Sequence, residues 1–243
     1  MTAHHTLDSI ATSLPETDDR SLSPDYYLLR YGIRLILPRI KGPRVLELGC
    51  AEGGMTKVLA ENFHSVVSVE GSPVLLERAR QNVTAGNITF FCSFFEEFEP
   101  DGMFSSIIMS RILEHVHKPV SLLERASQWL TQEGLIHIVV PNAGALNRRI
   151  GKAMGMLKRL DELHERDRRV GHLRVYSRQT LSADIKAAGL KVVHWDGIFL
   201  KPLSDQQMQD WDEELLDAFF EVGKELPEYC TEIYAECRPR GVG

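Results

Sequence analysis

Cysteine is scarce. Of 243 residues four are cysteines, Cys50, Cys92, Cys230 and Cys237, and even the last pair stands too far apart for a zinc-ligand pair. A disulfide scaffold and a cysteine-held metal are therefore not expected, and no metal is assigned. Long apolar runs are missing too. Nothing approaches the about 20 residues of a membrane span, and the start of the chain, polar and rich in Ser, Thr and Asp, has no apolar leader core. The expectation is a cytoplasmic protein that does not touch a membrane. Positive charge is in deficit, with 28 Lys and Arg against 34 Asp and Glu. The net charge of -6 excludes the broad basic footprint of a general nucleic-acid binder. Internal repeats and low-complexity tracts are absent as well.

What the chain does contain is alternation. The apolar runs "RVLELG", "SVVSVEG", "ITFFCS", "FSSIIMS" and "LIHIVVP" are separated by segments of helical period such as "GMTKVLAENF", "SPVLLERARQNV" and "PVSLLERASQWLT". Buried strands joined by crossover helices make a mostly parallel, doubly wound α/β sheet. Ahead of the first strand, Ser23 and Pro24 open an amphipathic helix carrying Tyr27, Leu28, Tyr31 and Leu35, which stops at Pro38. Beyond Pro141 the pattern breaks. Residues 145 to 178 hold ten Lys or Arg against four Asp or Glu, a local +6, so the rest of the chain carries -12. A helix "RQTLSADIKAAGL", a strand "KVVHWDG", an acidic helix over 205–226 and a last strand "TEIYAECRP" complete the chain. One domain over 1–243 is expected, in four parts: an N-terminal extension with a lid helix (1–40), a cofactor-binding half (41–143), a cationic insertion (144–176) and a C-terminal half (177–243).

The stretch "VLELGCAEGG" turns from a strand into a helix through Gly49, Cys50, Ala51, Gly53 and Gly54. Glycine permits both the turn and the close approach of a ligand to backbone. Seventeen residues past Gly53, at the end of the next strand, Glu70 is placed to accept the hydroxyls of a ribose. Together these describe a nucleoside site. Glu47, two residues ahead of Gly49, selects the nucleoside: beside a pyrophosphate its charge is repulsive, beside a sulfonium or ammonium attractive.

"ELGCAEG" resembles the first motif of the class I S-adenosylmethionine-dependent methyltransferases, an acidic residue followed by Gly-x-Gly-x-Gly, with Ala51 in place of the middle glycine. "VVSVEGSPVLLERAR" is similar to that family's second strand and helix, and "FSSIIMSRILEHVHKP" to its fourth strand and following loop. Residues 40–145 carry the likeness strongly and 170–240 by topology. The resemblance implies a seven-stranded, Rossmann-like methyltransferase fold with a reversed last strand, and S-adenosylmethionine as cofactor with S-adenosylhomocysteine as product. It implies that Glu47, Gly49, Cys50, Ala51 and Gly53 hold the methionine part, and that Glu70, Gly71 and Ser72 hold the ribose. Ser93 stands near the place of the family's adenine-binding Asp, with Phe94 or Phe95 stacking instead, and Ser110, Arg111 and Ile112 pass beneath the cofactor. Tyr26 in the lid helix is expected to face the ligand.

Methyl transfer needs an oriented acceptor and, for a hydroxyl or ammonium, removal of a proton. Glu114, His115 and His117 lie at the mouth of the sheet, and His115 is the candidate base, with Glu114 and, from the cationic insertion, His172 as further catalytic candidates; shaping the cofactor pocket is the alternative use of His115. The cationic insertion offers Arg148, His164, Arg168, Arg174 and Tyr176 to an acceptor, one bearing a carboxylate or phosphate. Pairing with Asp161, Glu162, Glu165 and Asp167 is the competing use of those cations. A metal held by His164 and His172 lacks a third ligand. The reading is transfer to an oxygen or nitrogen of a small metabolite, with a homodimer left open and nucleic acid disfavoured because "SRILEH" stands where base-modifying relatives have "NPPY". An NAD-dependent enzyme and a catalytically silent nucleoside-binding module remain as alternatives.

Overall fold

The computed structural model describes residues 24–241, so Ser23, the expected cap of the first helix, lies outside the described residues. Helix α1 (Pro24–Ile36) leads through a 3-10 turn into β1 (Arg44–Leu48), followed by α2 (Gly54–Asn62), β2 (Ser65–Glu70), α3 (Pro73–Asn82) and β3 (Ile88–Cys92). Then come β4 (Phe104–Ser110), α4 (Pro119–Gln128), β5 (Leu130–Pro141), α5 (Leu146–Ala153), α6 (Glu165–Arg169), α7 (Arg178–Ala187), β6 (Leu190–Ile198), α8 (Glu213–Glu225) and β7 (Glu232–Pro239). The strands form one sheet in the order β3-β2-β1-β4-β5-β7-β6. Neighbours are parallel from β3 through β5, while β7 runs antiparallel to both β5 and β6. The reversed last strand is as expected.

The apolar runs become strands because the central ones are covered on both faces, which selects continuous rather than alternating hydrophobicity. In β1, Val45, Leu46, Glu47 and Leu48 are all buried. One face is packed by α4 and α7 through Leu122, Leu123, Leu181 and Ile185. The other is packed by α1, α2 and α8 through Tyr27, Tyr31, Leu59 and Phe220. Tyr31 stacks against Phe199 and Phe220 at centroid distances of 5.3 and 4.6 Å, and Tyr27 donates to Asp205 at 2.9 Å. Both tyrosines thus serve packing. The helix read over 205–226 is in fact two elements, a 3-10 turn capped by Ser204 and α8 capped by Asp212, whose carboxylate accepts from Leu215 N at 2.8 Å. Two capping side chains inside one acidic run break it.

A buried chain of polar groups crosses the reversed strand. Arg39 donates to Glu236 at 2.9 Å, Tyr234 donates to the same carboxylate at 3.1 Å, and His137 Nδ1 lies 2.8 Å from the Tyr234 oxygen. Since the tyrosine proton goes to Glu236, the proton between Tyr234 and His137 sits on Nδ1. Nε2 is left buried without a partner among the described residues.

The strand order reverses between β1 and β4, so the crevice in which an open α/β sheet takes its ligand lies at their C-terminal ends.

Candidate functional site

Beyond β1 the backbone enters the left-handed region three times, at Gly49 (φ 80°), Ala51 (φ 46°) and Gly53 (φ 88°). A Cβ on Gly49 would lie 2.2 Å from Ile112 Cδ1, and one on Gly53 would lie 2.7 Å from Val83 Cγ2 and 3.3 Å from Ala79 Cα. Glycine is needed at both, for the torsion and for the space. Ala51 holds a glycine torsion at a cost of about 1 kcal/mol, and its N–H donates to Glu70 Oε2 at 3.0 Å. Glu70 Oε1 accepts from Ser72 N at 2.9 Å, and Ser72 caps α3 by accepting from Leu75 N at 3.2 Å. The carboxylate expected to meet a ribose thus also ties the two turns together.

Glu47 is 2% exposed, and its Oε2 accepts from Thr56 at 2.6 Å and Ser68 at 2.7 Å. Burial pushes its pKa up to about 7 against the opposing effect of these two hydroxyls. It lies beneath the turn as a half-protonated acid that a cation would ionise, rather than as an open negative floor. Thr56 and Ser68 went unnoticed in the sequence because isolated hydroxyl residues carry no positional signal. Cys50 is buried, and burial raises its thiol far above the ordinary range.

Ser93 hydrogen-bonds through its backbone to Glu70 O, and its hydroxyl donates to Phe94 O at 3.0 Å. Phe95 is half-buried against the core, with its ring edge 3.6 Å from the Cβ position of Gly49. Tyr26 is 44% exposed on the first turn of α1, a helix whose Leu29 presses on Gly54 at the start of α2.

The loop after β4 begins with strain. Ser110 ends the strand, Arg111 takes φ 58° and donates from Nε to Glu232 at 2.5 Å, and Ile112 fills the space under Gly49. Glu114 follows, completely buried. Burial pushes its carboxyl up to about 8, and burial likewise pushes the neighbouring His115 down to about 4. Leu173 N donates to Glu114 O at 2.8 Å, and Arg174 Nη1 donates to the carbonyls of Leu113 and Val116 at 2.6 and 2.5 Å. These bonds lay the end of the insertion on the loop. They bring His172 against His115, with ring centroids 4.7 Å apart at 78°.

The cations of the insertion are mostly occupied. Arg148, expected at the acceptor, is 8% exposed and donates to the carbonyls of Leu160 (2.7 Å) and Glu162, with Asp167 3.5 Å away. It holds the insertion together. His164 caps α6, accepting from Asp167 N at 3.2 Å. Tyr176 is buried and donates to Asp184 at 2.9 Å. Arg174 is the staple just described, and Arg166 pairs with Asp205 at 2.8 Å. Arg168 projects exposed from α6. The local charge of +6 thus serves backbone carbonyls and neighbouring carboxylates in large part, because a long insertion without strands must satisfy its own polar groups.

The turn suits a nucleoside with a cationic tail: Gly49, Ala51 and Gly53 hold it in a tight left-handed path packed on Ile112 and Val83, a carboxylate stands at the end of β2, and a buried acid lies below. Residues 22–195 match the methyltransferase-domain family model. The chain is 26% identical over 181 residues to trans-aconitate 2-methyltransferase of Streptomyces coelicolor, covering 70% of this chain and 58% of that protein. It is 26% identical over 103 residues to malonyl-[acyl-carrier protein] O-methyltransferase of Anoxybacillus flavithermus, covering 41% and 40%. The chain therefore spans at most about three fifths of these relatives' length. The N-methyltransferase NodS of Bradyrhizobium japonicum, solved with S-adenosylhomocysteine, superposes with a TM-score of 0.61 at 14% identity, covering 98% of both chains. With a family model matching most of its length, this chain belongs to the class I S-adenosylmethionine-dependent methyltransferases.

Proposed function

We propose that the protein methylates an oxygen or nitrogen of a small acceptor that carries a carboxylate. The observation that carries this reading is the meeting of two features at one end of the sheet: the glycine turn, whose Gly49 rests on Ile112, and the cluster of Glu114, His115 and His172 two residues further on. Two relatives whose names specify trans-aconitate and malonyl-[acyl-carrier protein] support the acidic class.

S-adenosylmethionine supplies a methyl group on a sulfonium, a leaving group that needs no protonation. The protein's task is orientation and handling of the acceptor's proton. Gly49 to Gly53 and Glu47 receive the methionine end, Glu70 and Ser72 the ribose, and Ser93, Phe94 and Phe95 the adenine. Ser110 and Arg111 form the floor, and Tyr26 covers the site from α1. His115, neutral at pH 7, Glu114 and His172 engage the acceptor's nucleophilic atom, and Arg168 holds its anionic group.

S-adenosylhomocysteine release, followed over a panel of carboxylic acids and their methyl esters, tests this directly. Turnover with acids and none with the esters is expected, and Arg168→Ala should raise the acceptor KM about tenfold with the cofactor KM unchanged. Equal turnover of acids and esters, or an unchanged acceptor KM, would count against an anionic acceptor.

Glu47 makes a second, separable expectation. Glu47→Gln keeps an oxygen for Thr56 and Ser68 but removes the charge, so cofactor affinity should fall about tenfold at pH 8.5. It should fall little at pH 5.5, where the native acid with its pKa near 7 is already protonated. Calorimetric titration at the two pH values reads this out, and a pH-independent loss would show that charge is not what Glu47 contributes.

A further inference from the structure

Among the described residues neither carboxylate oxygen of Glu114 has a hydrogen-bond partner, although the residue is wholly buried. Such a group is among the costliest a fold can hold, and it persists where something else satisfies it. The nearby guanidinium groups do not: Arg111 is bonded to Glu232, and Arg174 to the carbonyls of Leu113 and Val116. What faces Glu114 instead is a pair of imidazoles. One ligand atom from each of Glu114, His115 and His172 lies within 4.8 Å of the other two. Ligand distances of about 2.0–2.2 Å place donors about 3–3.5 Å apart, so closure requires only small side-chain adjustments.

The outer groups fit the same reading. Metal-bound histidines direct their second nitrogen at a carboxylate or a backbone carbonyl. His172 Nδ1 is buried and stands 3.3 Å from Asp167 Oδ1, a carboxylate within reach although the two are not aligned as a hydrogen bond. Asp167 is itself fixed by accepting from His164 N at 3.1 Å. Two of the ligands are adjacent on the loop after β4 and the third arrives from the insertion, tied down by the bond from Leu173 N to Glu114 O.

The geometry points to a divalent transition-metal site built by Glu114, His115 and His172, with coordination positions open toward the acceptor. Two imidazoles and one carboxylate select Zn2+, Co2+, Fe2+ or Mn2+ over Ca2+ and Mg2+, which prefer all-oxygen shells. An acceptor hydroxyl bound to such an ion loses its proton more readily, which assigns to the cation the activation that a free imidazole would otherwise provide. That use rests on the function proposed above; the binding of the ion does not.

The test is a Co2+ titration of the chelator-treated full chain, followed by visible absorption and calorimetry. His4 and His5 could chelate an ion adventitiously, so the protein also carries His4→Ala and His5→Ala. One equivalent is expected to bind, with a visible band and displacement by Zn2+. Glu114→Gln and His172→Ala should each weaken binding at least 30-fold, whereas His64→Ala, at an exposed imidazole, should not. Calorimetric binding of S-adenosylmethionine checks folding of each variant and stands or falls separately from the ion. Should a variant not fold, proton NMR of the unsubstituted Co2+ protein decides: two exchangeable, hyperfine-shifted imidazole N–H signals support the site. No saturable band, or equal Co2+ affinity in the Glu114 and His172 variants, overturns it.

Discussion

Glu70→Ala is expected to weaken S-adenosylmethionine binding by on the order of 100-fold. The carboxyl group accepts from Ala51 N at 3.0 Å and from Ser72 N at 2.9 Å, two backbone bonds at a side chain that sits 8% exposed. Each such bond contributes about 1 kcal/mol, and leaving a buried donor unpaired costs about 1–3 kcal/mol more. The loss falls on the conformation that matters. Ala51 keeps its left-handed torsion against its own steric preference, and the bond to Glu70 is what holds it there. Without the tie the turn relaxes, and the proposed ribose contact disappears with it. A factor of 100 corresponds to about 2.7 kcal/mol, less than the sum of the separate parts because cofactor binding can restore some of the turn. Glu70→Gln, with one carbonyl oxygen left, should fall between wild type and Ala51-untied alanine variant. Calorimetric titration measures both, and thermal unfolding separates a loosened turn from a collapsed fold. Native affinity in the alanine variant would remove Glu70 from the site.

Acidification should cost the protein about 3 kcal/mol through His137 alone. Burial pushes this imidazole down to about 4, while the unfolded chain titrates near 6.5. The folded pKa is the lower one, so the native state resists protonation. Above about pH 6.5 both states are neutral and the effect is nil. As pH falls from 6.5 to 4 the unfolded chain takes up a proton that the native chain refuses, and stability declines by about 1.4 kcal/mol per unit over that window. The geometry explains the refusal. Nδ1 faces the Tyr234 hydroxyl, which is committed to Glu236, and the only vacant nitrogen is Nε2, buried without a partner among the described residues. His137→Leu should remove this component of the acid loss, and denaturant unfolding at pH 7 and pH 5 compares the slopes. The same decline in wild type and His137→Leu would show that other groups govern it.

Much of the fold was legible because buried parallel strands demand uninterrupted apolar runs. "RVLELG", "SVVSVEG" and "FSSIIMS" could be read as buried strands before any pairing was known, and they are β1, β2 and β4. The glycine turn was legible for a different reason: its torsions exclude most side chains, so composition at Gly49 and Gly53 follows local geometry. Element ends were less legible, as the acidic stretch over 205–226 shows. Its charges fit a helix throughout, yet Ser204 and Asp212 both act as caps.

The insertion was legible only in its charge, not in how that charge is used. Ten cations in 145–178 invite an anion site, but Arg148 and Arg174 go to backbone carbonyls and His164 to a helix cap. Carbonyl acceptors are the same in every residue and leave no trace in a sequence.

From the order of its residues alone the protein's sheet, its glycine turn and its family were determined, since each depends on local torsion or on the periodicity of burial. The gathering of Glu114, His115 and His172 was decided only by the tertiary structure. His172 is separated from the other two by a strand and an insertion, and it reaches them because Leu173 and Arg174 bond to the loop after β4. Side-chain proximity across such a span is set by how unpaired backbone groups find partners, a property of the folded chain that no local pattern encodes.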